Sequence, residues 1–236
     1  MIRWFFKWLF RLAILAVVLV VLFLLSLNTL LRVYVEHSIR AQTGMDAEID
    51  RFKLGWAEPT IEIKDLKIYN SPAFGGTPFL DIPEIHIEYD PKALARGSLH
   101  LTLLRINVAE LDIVKSTAGR TNIFELAGTP RKGKATVSKP ASQIKSQTGY
   151  DFTGIDKLNV SFGTAKYIDL QNRHNDRQQT IGIQNCVVPD VKSANDLAGL
   201  AVVIGLRSNH FFDQFIGQPR NSASMKSILN LMGAPL

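Results

Sequence analysis

From Leu12 to Leu31 the chain carries no charge for twenty consecutive residues, and Arg11 and Arg32 bracket the run. A helix rises about 1.5 Å per residue, so this length matches the roughly 30 Å hydrocarbon core of a bilayer. The expectation is a transmembrane helix over 12–31. Arg3, Lys7 and Arg11 precede it, and no acid occurs before Glu36. The positive-inside rule then keeps the N-terminus in the cytoplasm and sends the rest of the chain across. Trp4, Phe5, Phe6 and Trp8 stand among those cations as an interfacial belt. Arg3, Trp4, Lys7, Trp8 and Arg11 are therefore the expected membrane anchors, in a cytoplasmic flank over 1–11. A cleaved signal peptide is the rival reading. It requires a shorter apolar region and small residues at the cleavage site, which Leu25-Ser26-Leu27-Asn28 matches poorly. A buried helix of a water-soluble protein fits less well, because no side of the run is polar.

The net charge of +6 invites a nucleic-acid reading until it is divided along the chain. Three cations sit in the N-terminal flank. Five more, Arg131, Lys132, Lys134, Lys139 and Lys145, occupy a stretch without acids. Removing those eight leaves the remainder at −2, so no basic stripe is left to hold a phosphate backbone. The second cluster is interspersed with Gly133, Ser138, Pro140 and Ser146 and reads as a solvated linker over 129–149. The one cysteine, Cys186, excludes an internal disulfide and a cysteine-based zinc site, and reads as a small core residue.

After the apolar run, residues 32–44 continue as a helical stalk that Gly44 terminates. The pattern then changes to short alternating runs rich in β-branched residues. Ile61 and Ile63 alternate with Glu62 and Lys64; Leu66 and Ile68 follow out of phase, which predicts a bulge near Asp65. Ile85, Ile87 and Tyr89 alternate with Glu84, His86 and Glu88. Leu101, Leu103 and Arg105 oppose Thr102, Leu104 and Ile106, and Leu111 and Ile113 alternate with Glu110 and Asp112. Turn formers separate the runs, as at Asn70-Ser71-Pro72, Asp90-Pro91 and Gly97-Ser98. This predicts an antiparallel sheet over 45–128 with one apolar and one wet face. A second β region covers 150–210, with strands at Lys157 to Phe162, Thr164 to Leu170, Thr180 to Val188 and Leu200 to Arg207. The last of these is apolar throughout and is expected to be covered on both faces. A tail over 211–236 holds a short amphipathic helix from Ala223 to Met232.

Motifs for chemistry are absent. Glu84 and Glu88 share one wet face with His86 between them, whereas paired glycosidase carboxylates face each other across a cleft. Asp46, Glu48 and Asp50 lack the glycine and terminal glutamate of a calcium loop. The five histidines have no partner at metal-ligand spacing. No nucleophile elbow or phosphate loop occurs. The chain reads as no enzyme, with no cofactor and no metal. The alternating apolar faces admit an ordinary sealed core or an open lipid-facing groove, and periodicity alone does not choose between them.

The order of elements resembles the N-terminal part of AsmA-like proteins of the Gram-negative envelope. The resemblance rests on the apolar span, the helix ending in Thr43-Gly44, and Lys64-Asp65-Leu66-Lys67-Ile68-Tyr69-Asn70-Ser71 followed by Phe74. It continues in Ile82-Pro83-Glu84-Ile85-His86-Ile87-Glu88-Tyr89-Asp90, in Gly97-Ser98-Leu99, and in Ile106 to Val114 with Gly119-Arg120-Thr121-Asn122. It runs from the span to about Phe124 and more weakly from Leu158 to Leu206, where Ile168-Asp169-Leu170 looks like a later strand. It implies a single-pass inner-membrane protein with its bulk in the periplasm. The curved, groove-like sheet of this family is similar to that of bridge-like, chorein-type lipid transporters and serves outer-membrane biogenesis and phospholipid transport. The groove candidates are then Ile61, Ile63, Ile85, Ile87, Leu101, Leu103, Leu111 and Ile113. The implied partners are the bilayer and a phospholipid or other acyl-chain ligand, with an envelope protein or a second copy as further partners. Eight to ten strands at roughly 4.8 Å spacing make a groove of about 40–50 Å, too short for one copy to bridge two membranes. The alternative is a tethered structural or accessory subunit that docks on an envelope complex without carrying lipid.

Overall fold

The computed structural model describes residues 26–55, 58–123, 149–209 and 211–212. Residues 26–43 are helical (α1) and stop where Gly44 turns to φ +71° and donates its N–H to Arg40 O at 2.9 Å. Six strands follow: β1 (Asp46–Leu54), β2 (Thr60–Tyr69), β3 (Pro78–Tyr89), β4 (Ser98–Lys115), β5 (Asp151–Asp169) and β6 (Arg177–Val191). They form one open sheet in the order β1-β2-β3-β4-β5-β6. A short helix, α2 (Pro91–Ala95), joins β3 to β4, and α3 (Ala198–Arg207) follows β6.

Two corrections concern pairing. The sheet is mixed, not wholly antiparallel: β4 and β5 run parallel, with Leu104 opposite Leu158 and Ile113 opposite Tyr167. A parallel pair needs a long return connection, which local alternation does not reveal. The return, residues 124–148, holds nearly all of the expected basic linker and lies outside the described residues. The pairing also joins the two expected β regions into one sheet. Six strands are described, not eight to ten. Leu101 to Ile106 and Leu111 to Ile113 belong to the single strand β4, and Lys157 to Phe162 and Thr164 to Leu170 to the single strand β5.

The reason for the misread strand ends is a phase slip that crosses the whole sheet. The apolar face takes Ala47 and Ile49, then Phe52 and Leu54, from β1. It takes Ile61 and Ile63, then Leu66 and Ile68, from β2, and Leu80 and Ile82, then Ile85, from β3. In β4 the sequence is Ile106 and Val108, then Leu111 and Ile113; in β5, Phe162, then Ala165 and Tyr167; in β6, Ile181 and Ile183, then Cys186. Each strand thus switches parity once, and the six switches adjoin. No residue is inserted at the expected bulge: Ile63 stays opposite Ile85 and Leu66 opposite Ile82. Asp65 instead adopts φ 52°, which turns the following side chains over; Asn185 does the same in β6 at φ 49°. In the central pair the strands come so close that a Cβ on Gly163 would lie 2.6 Å from Ala109 O.

The β1 edge is sealed by α1. Residues four apart share one helix face, and Asn28, Arg32 and Glu36 all turn to the edge backbone. Asn28 Oδ1 accepts from Leu54 N–H at 3.1 Å, and Glu36 Oε1 from Ile49 N–H at 2.9 Å. Arg32 Nη1 donates to Ile49 O and Asp50 O at 3.4 and 3.3 Å. The neighbouring stripe, Leu31, Val35 and Ile39, packs on Ile49, Phe52, Ile63, Leu66 and Ile82. Helix side chains thereby stand in for a seventh strand at an edge that would otherwise invite foreign pairing.

The run expected as a strand from Leu200 to Arg207 is helical. Asp196 Oδ2 accepts from the N–H groups of Lys192 and Ser193 at 2.9 and 2.7 Å, capping the start. A short apolar run has no period that separates strand from helix. Nor is it covered all round: Ile204 packs inward, while Val202 and Leu206 are 60% and 79% exposed. Among the described residues no helix is long and apolar enough to cross a membrane. The expected span up to residue 25, its flanking anchors and the tail beyond Phe212 lie outside them.

Gly163→Ala is expected to force β4 and β5 apart at the slip and to cost about 1–3 kcal/mol, the usual range for overpacking. Urea unfolding of the purified protein measures it; a variant as stable as the parent contradicts the close approach.

Candidate functional site: the apolar face of the sheet

The register assigns each expected groove residue to a face. Ile61 lies opposite Ile87 and Ile63 opposite Ile85. Ile85 and Ile87 face Ile106 and Leu104 on β4. Leu111 and Ile113 face Ala165 and Tyr167 on β5. Leu101, opposite Tyr89, lies at the end of the sheet where α1 begins. These seven share the apolar face. Leu103 does not: it stands opposite Glu88, beside the Arg105–His86 pair on the polar face. A shift between Glu88 and Tyr89 separates it from Leu101, so simple alternation misassigns it.

The apolar face is covered at both flanks. On the β1 side α1 and the first three strands form one core, which buries Ile63. On the β6 side Phe162, Ala165, Tyr167, Ile181 and Ile183 form a second core with Ile113, which is fully buried. Phe211 is its last buried member, and Ile204, Phe212 and Ile123 pack against it. Cys186 lies half-buried at its border. Between the two cores, Ile85, Ile87, Leu104, Ile106 and Val160 are half-buried, and Leu158 is buried. The two Phe residues escaped the sequence reading because they sit at the start of a segment read only as tail; the FF pair after a capped apolar helix was the signal.

The other face is wet and ion-paired. Lys64 Nζ bonds Glu62 Oε1 at 3.1 Å and Glu84 Oε1 at 2.9 Å, and His86 Nε2 lies 3.2 Å from Glu88 Oε1. The Glu84 and Glu62 hydrogen bonds hold the Lys64 ammonium above its ordinary range. Glu84 and Glu88 are thus each engaged by a base on their own face. A cavity of about 310 Å³ opens at the slip between Asn107, Ala109, Ser161, Gly163, Gly182 and Asn185. No residue lining it titrates. A second, of about 330 Å³, has Arg173 and Arg177 at its rim, but Arg173 pairs with Asp176 at 3.4 Å and Arg177 donates to His174 O and Asp176 O. Among the described residues no group of three His, Cys, Asp or Glu side chains is placed to hold a metal ion.

The far end of the sheet is braced by buried polar groups. Asn122 Nδ2 donates to Asn70 Oδ1 and Asp112 O, both at 2.8 Å, and its Oδ1 accepts from Val114 N–H at 3.0 Å. Asp169 is buried, which opposes its charge, yet Lys115, Asn175 and the amides of Gln171 and Asn172 hold its carboxyl at about 2. Asp112 is the exception. It is 6% exposed and its Oδ1 has no hydrogen-bond partner among the described residues. Burial pushes its carboxyl up to about 6, the Glu110 charge adds to this, and Lys166 opposes it.

Comparison with protein-family models, curated proteins and solved structures finds no match to this chain.

Because the Asp112 carboxyl titrates higher folded than unfolded, the stability it contributes is present below about pH 4 and is lost as pH rises to about 6. Asp112→Asn is therefore expected to raise the melting temperature at pH 8 and to leave it unraised at pH 4. Melts at the two pH values check it; an equal shift at both contradicts a buried titrating carboxyl.

Proposed function

We propose that this chain is a membrane-anchored, non-enzymatic lipid-handling protein of the bacterial envelope, of the AsmA-like kind, with its sheet on the periplasmic side of the inner membrane. One observation carries the reading: a single open sheet with a continuous apolar face that α1 covers on one flank and α3 with Phe211 on the other, leaving half-buried side chains between. The seat is formed by Ile85, Ile87, Leu104, Ile106 and Val160. Burial of acyl chain there contributes about 0.8 kcal/mol per methylene removed from water.

The position of α1 supports a route for the lipid. Helix α1 continues the uncharged N-terminal run, and its first turns lie beside Leu54, at the same end of the sheet as Leu101 and Tyr89. A run that spans the bilayer delivers that end to the membrane surface. The anchors Arg3, Trp4, Lys7, Trp8 and Arg11 belong to the same reading. The second reading, a tethered subunit docking on an envelope complex, is favoured by the outward Val202, Val203 and Leu206 of α3.

Purified in mild detergent, the protein is expected to carry phospholipid detectable by mass spectrometry. Ile85→Asp and Ile87→Asp, at half-buried positions, are expected to lower that content at least tenfold with the far-ultraviolet circular dichroism unchanged. Lipid content unaffected by both substitutions sinks the groove. A stoichiometric protein partner in cross-linked cells, with no lipid, moves the conclusion to the docking subunit.

A further inference from the structure

Lipid transport through an open sheet needs a face that continues past the last strand. Here the face stops. On the β1 side Leu31, Val35 and Ile39 of α1 fill it. On the β6 side Phe211 is 6% exposed among Ile113, Phe162, Tyr167, Ile181 and Ile183, with Ile204 and Phe212 against the same cluster. The cap is held in place by its own contacts: Ser208 N–H donates to Ile204 O at 2.8 Å and Phe211 N–H to Ser208 O at 2.8 Å. That turn brings Phe211 back onto the sheet directly after α3.

We propose that the apolar face is a blind seat for one membrane lipid, with Phe211, Phe212 and Ile204 as the stop on its β6 side. This rests on the lipid-handling reading above and narrows it from a conduit to a single-lipid receptacle. The dimensions agree. The uncovered floor spans β3 to β5, about 10 Å across at roughly 4.8 Å per strand. From Leu101 to Val108 it extends about 24 Å at roughly 3.4 Å per residue. One leaflet of a bilayer is about 15 Å deep, half of the roughly 30 Å core. The floor therefore accommodates the tails of one lipid and leaves no room for a second in line. The slip marks the boundary: the side chains beyond it on β4 and β5, Leu111, Ile113, Ala165 and Tyr167, belong to the plugged core.

The full-length protein is reconstituted into phosphatidylethanolamine–phosphatidylglycerol vesicles containing a phosphatidylglycerol with a diazirine in its acyl chain. After illumination, adducts are mapped by peptide mass spectrometry, and native mass spectrometry counts lipids per chain. The expected map places adducts on β3 to β5 around Ile87, Leu104, Ile106 and Val160, none on Ile113, Tyr167 or Ile181, with one lipid per chain. Phe212→Ala, at a half-buried position, and Phe211→Ala are expected to spread adducts to Tyr167 and Ile181 at least threefold. Adducts on Ile113, Tyr167 or Ile181 in the unaltered protein, or two or more lipids per chain, overturn the stop and leave the lipid seat standing. An unchanged map in folded Phe212→Ala also overturns it. No adduct on any strand sinks the lipid reading, and the stop falls with it. The unaltered protein and Phe212→Ala decide the matter even where Phe211→Ala does not fold.

Discussion

The contact between Ala109 and Gly163 fixes what the sheet does. In the only parallel pair among the described strands, the missing side chain of Gly163 lets β5 approach the β4 backbone, and both strands change parity there. The neighbours must follow. A strand that kept its parity would turn a charged residue into the apolar face on one side of the slip. Each solves this with what the position allows: Asp65 and Asn185 with a left-handed backbone, Pro83 with a residue that donates nothing to the ladder. The result is one apolar face kept continuous over strands as long as nineteen residues, and one wet face that ion pairs cover.

The second dependence is on α1. Open sheets need their edges blunted, and this one uses polar side chains of a helix whose other stripe enters the core. That geometry divides the uncharged run. Asn28 and Leu31 belong to the sheet, so the run before residue 26 offers fourteen residues, about 21 Å of helix at 1.5 Å each, against a core of roughly 30 Å. A span must then draw on the Trp- and Phe-rich flank, or set the near end of the sheet into the interface. Under the proposed function both outcomes bring the seat close to lipid tails.

The parts of the fold legible in sequence were the local ones. Gly44, the turn at Asn70 to Gly76 and the alternation in β2 and β3 follow from backbone permissiveness and period, which a few residues carry. The unread parts were those where two distant segments decide. The parity changes at Ala109 and Gly163 look like strand ends when each strand is read alone; only their adjacency shows a slip. Leu103 fits an apolar face by period and lies on the wet one because a shift between Glu88 and Tyr89 intervenes. The parallel pairing depends on a return whose composition says nothing about direction. For Leu200 to Leu206 the caps, Ser193 and Asp196, were in view, but the apolar run outweighed them.

Helix α3 is where the two functional readings meet. Its inner side chain Ile204 helps to close the seat, and its outer side chains Val202, Val203 and Leu206 face away from the sheet. The helix has no fully buried residue of its own; it is held to the sheet by the partly buried side of one turn and by the Phe pair that follows. Apolar burial holds it at roughly 25 cal/mol per Å², so a partner covering the outer face competes on similar terms with the sheet covering the inner one. Any partner that moves α3 also moves the stop. A docking subunit and a lipid receptacle are then two uses of one amphipathic-by-position helix, and what separates them is whether the floor beside it holds an acyl chain when the outer face is free.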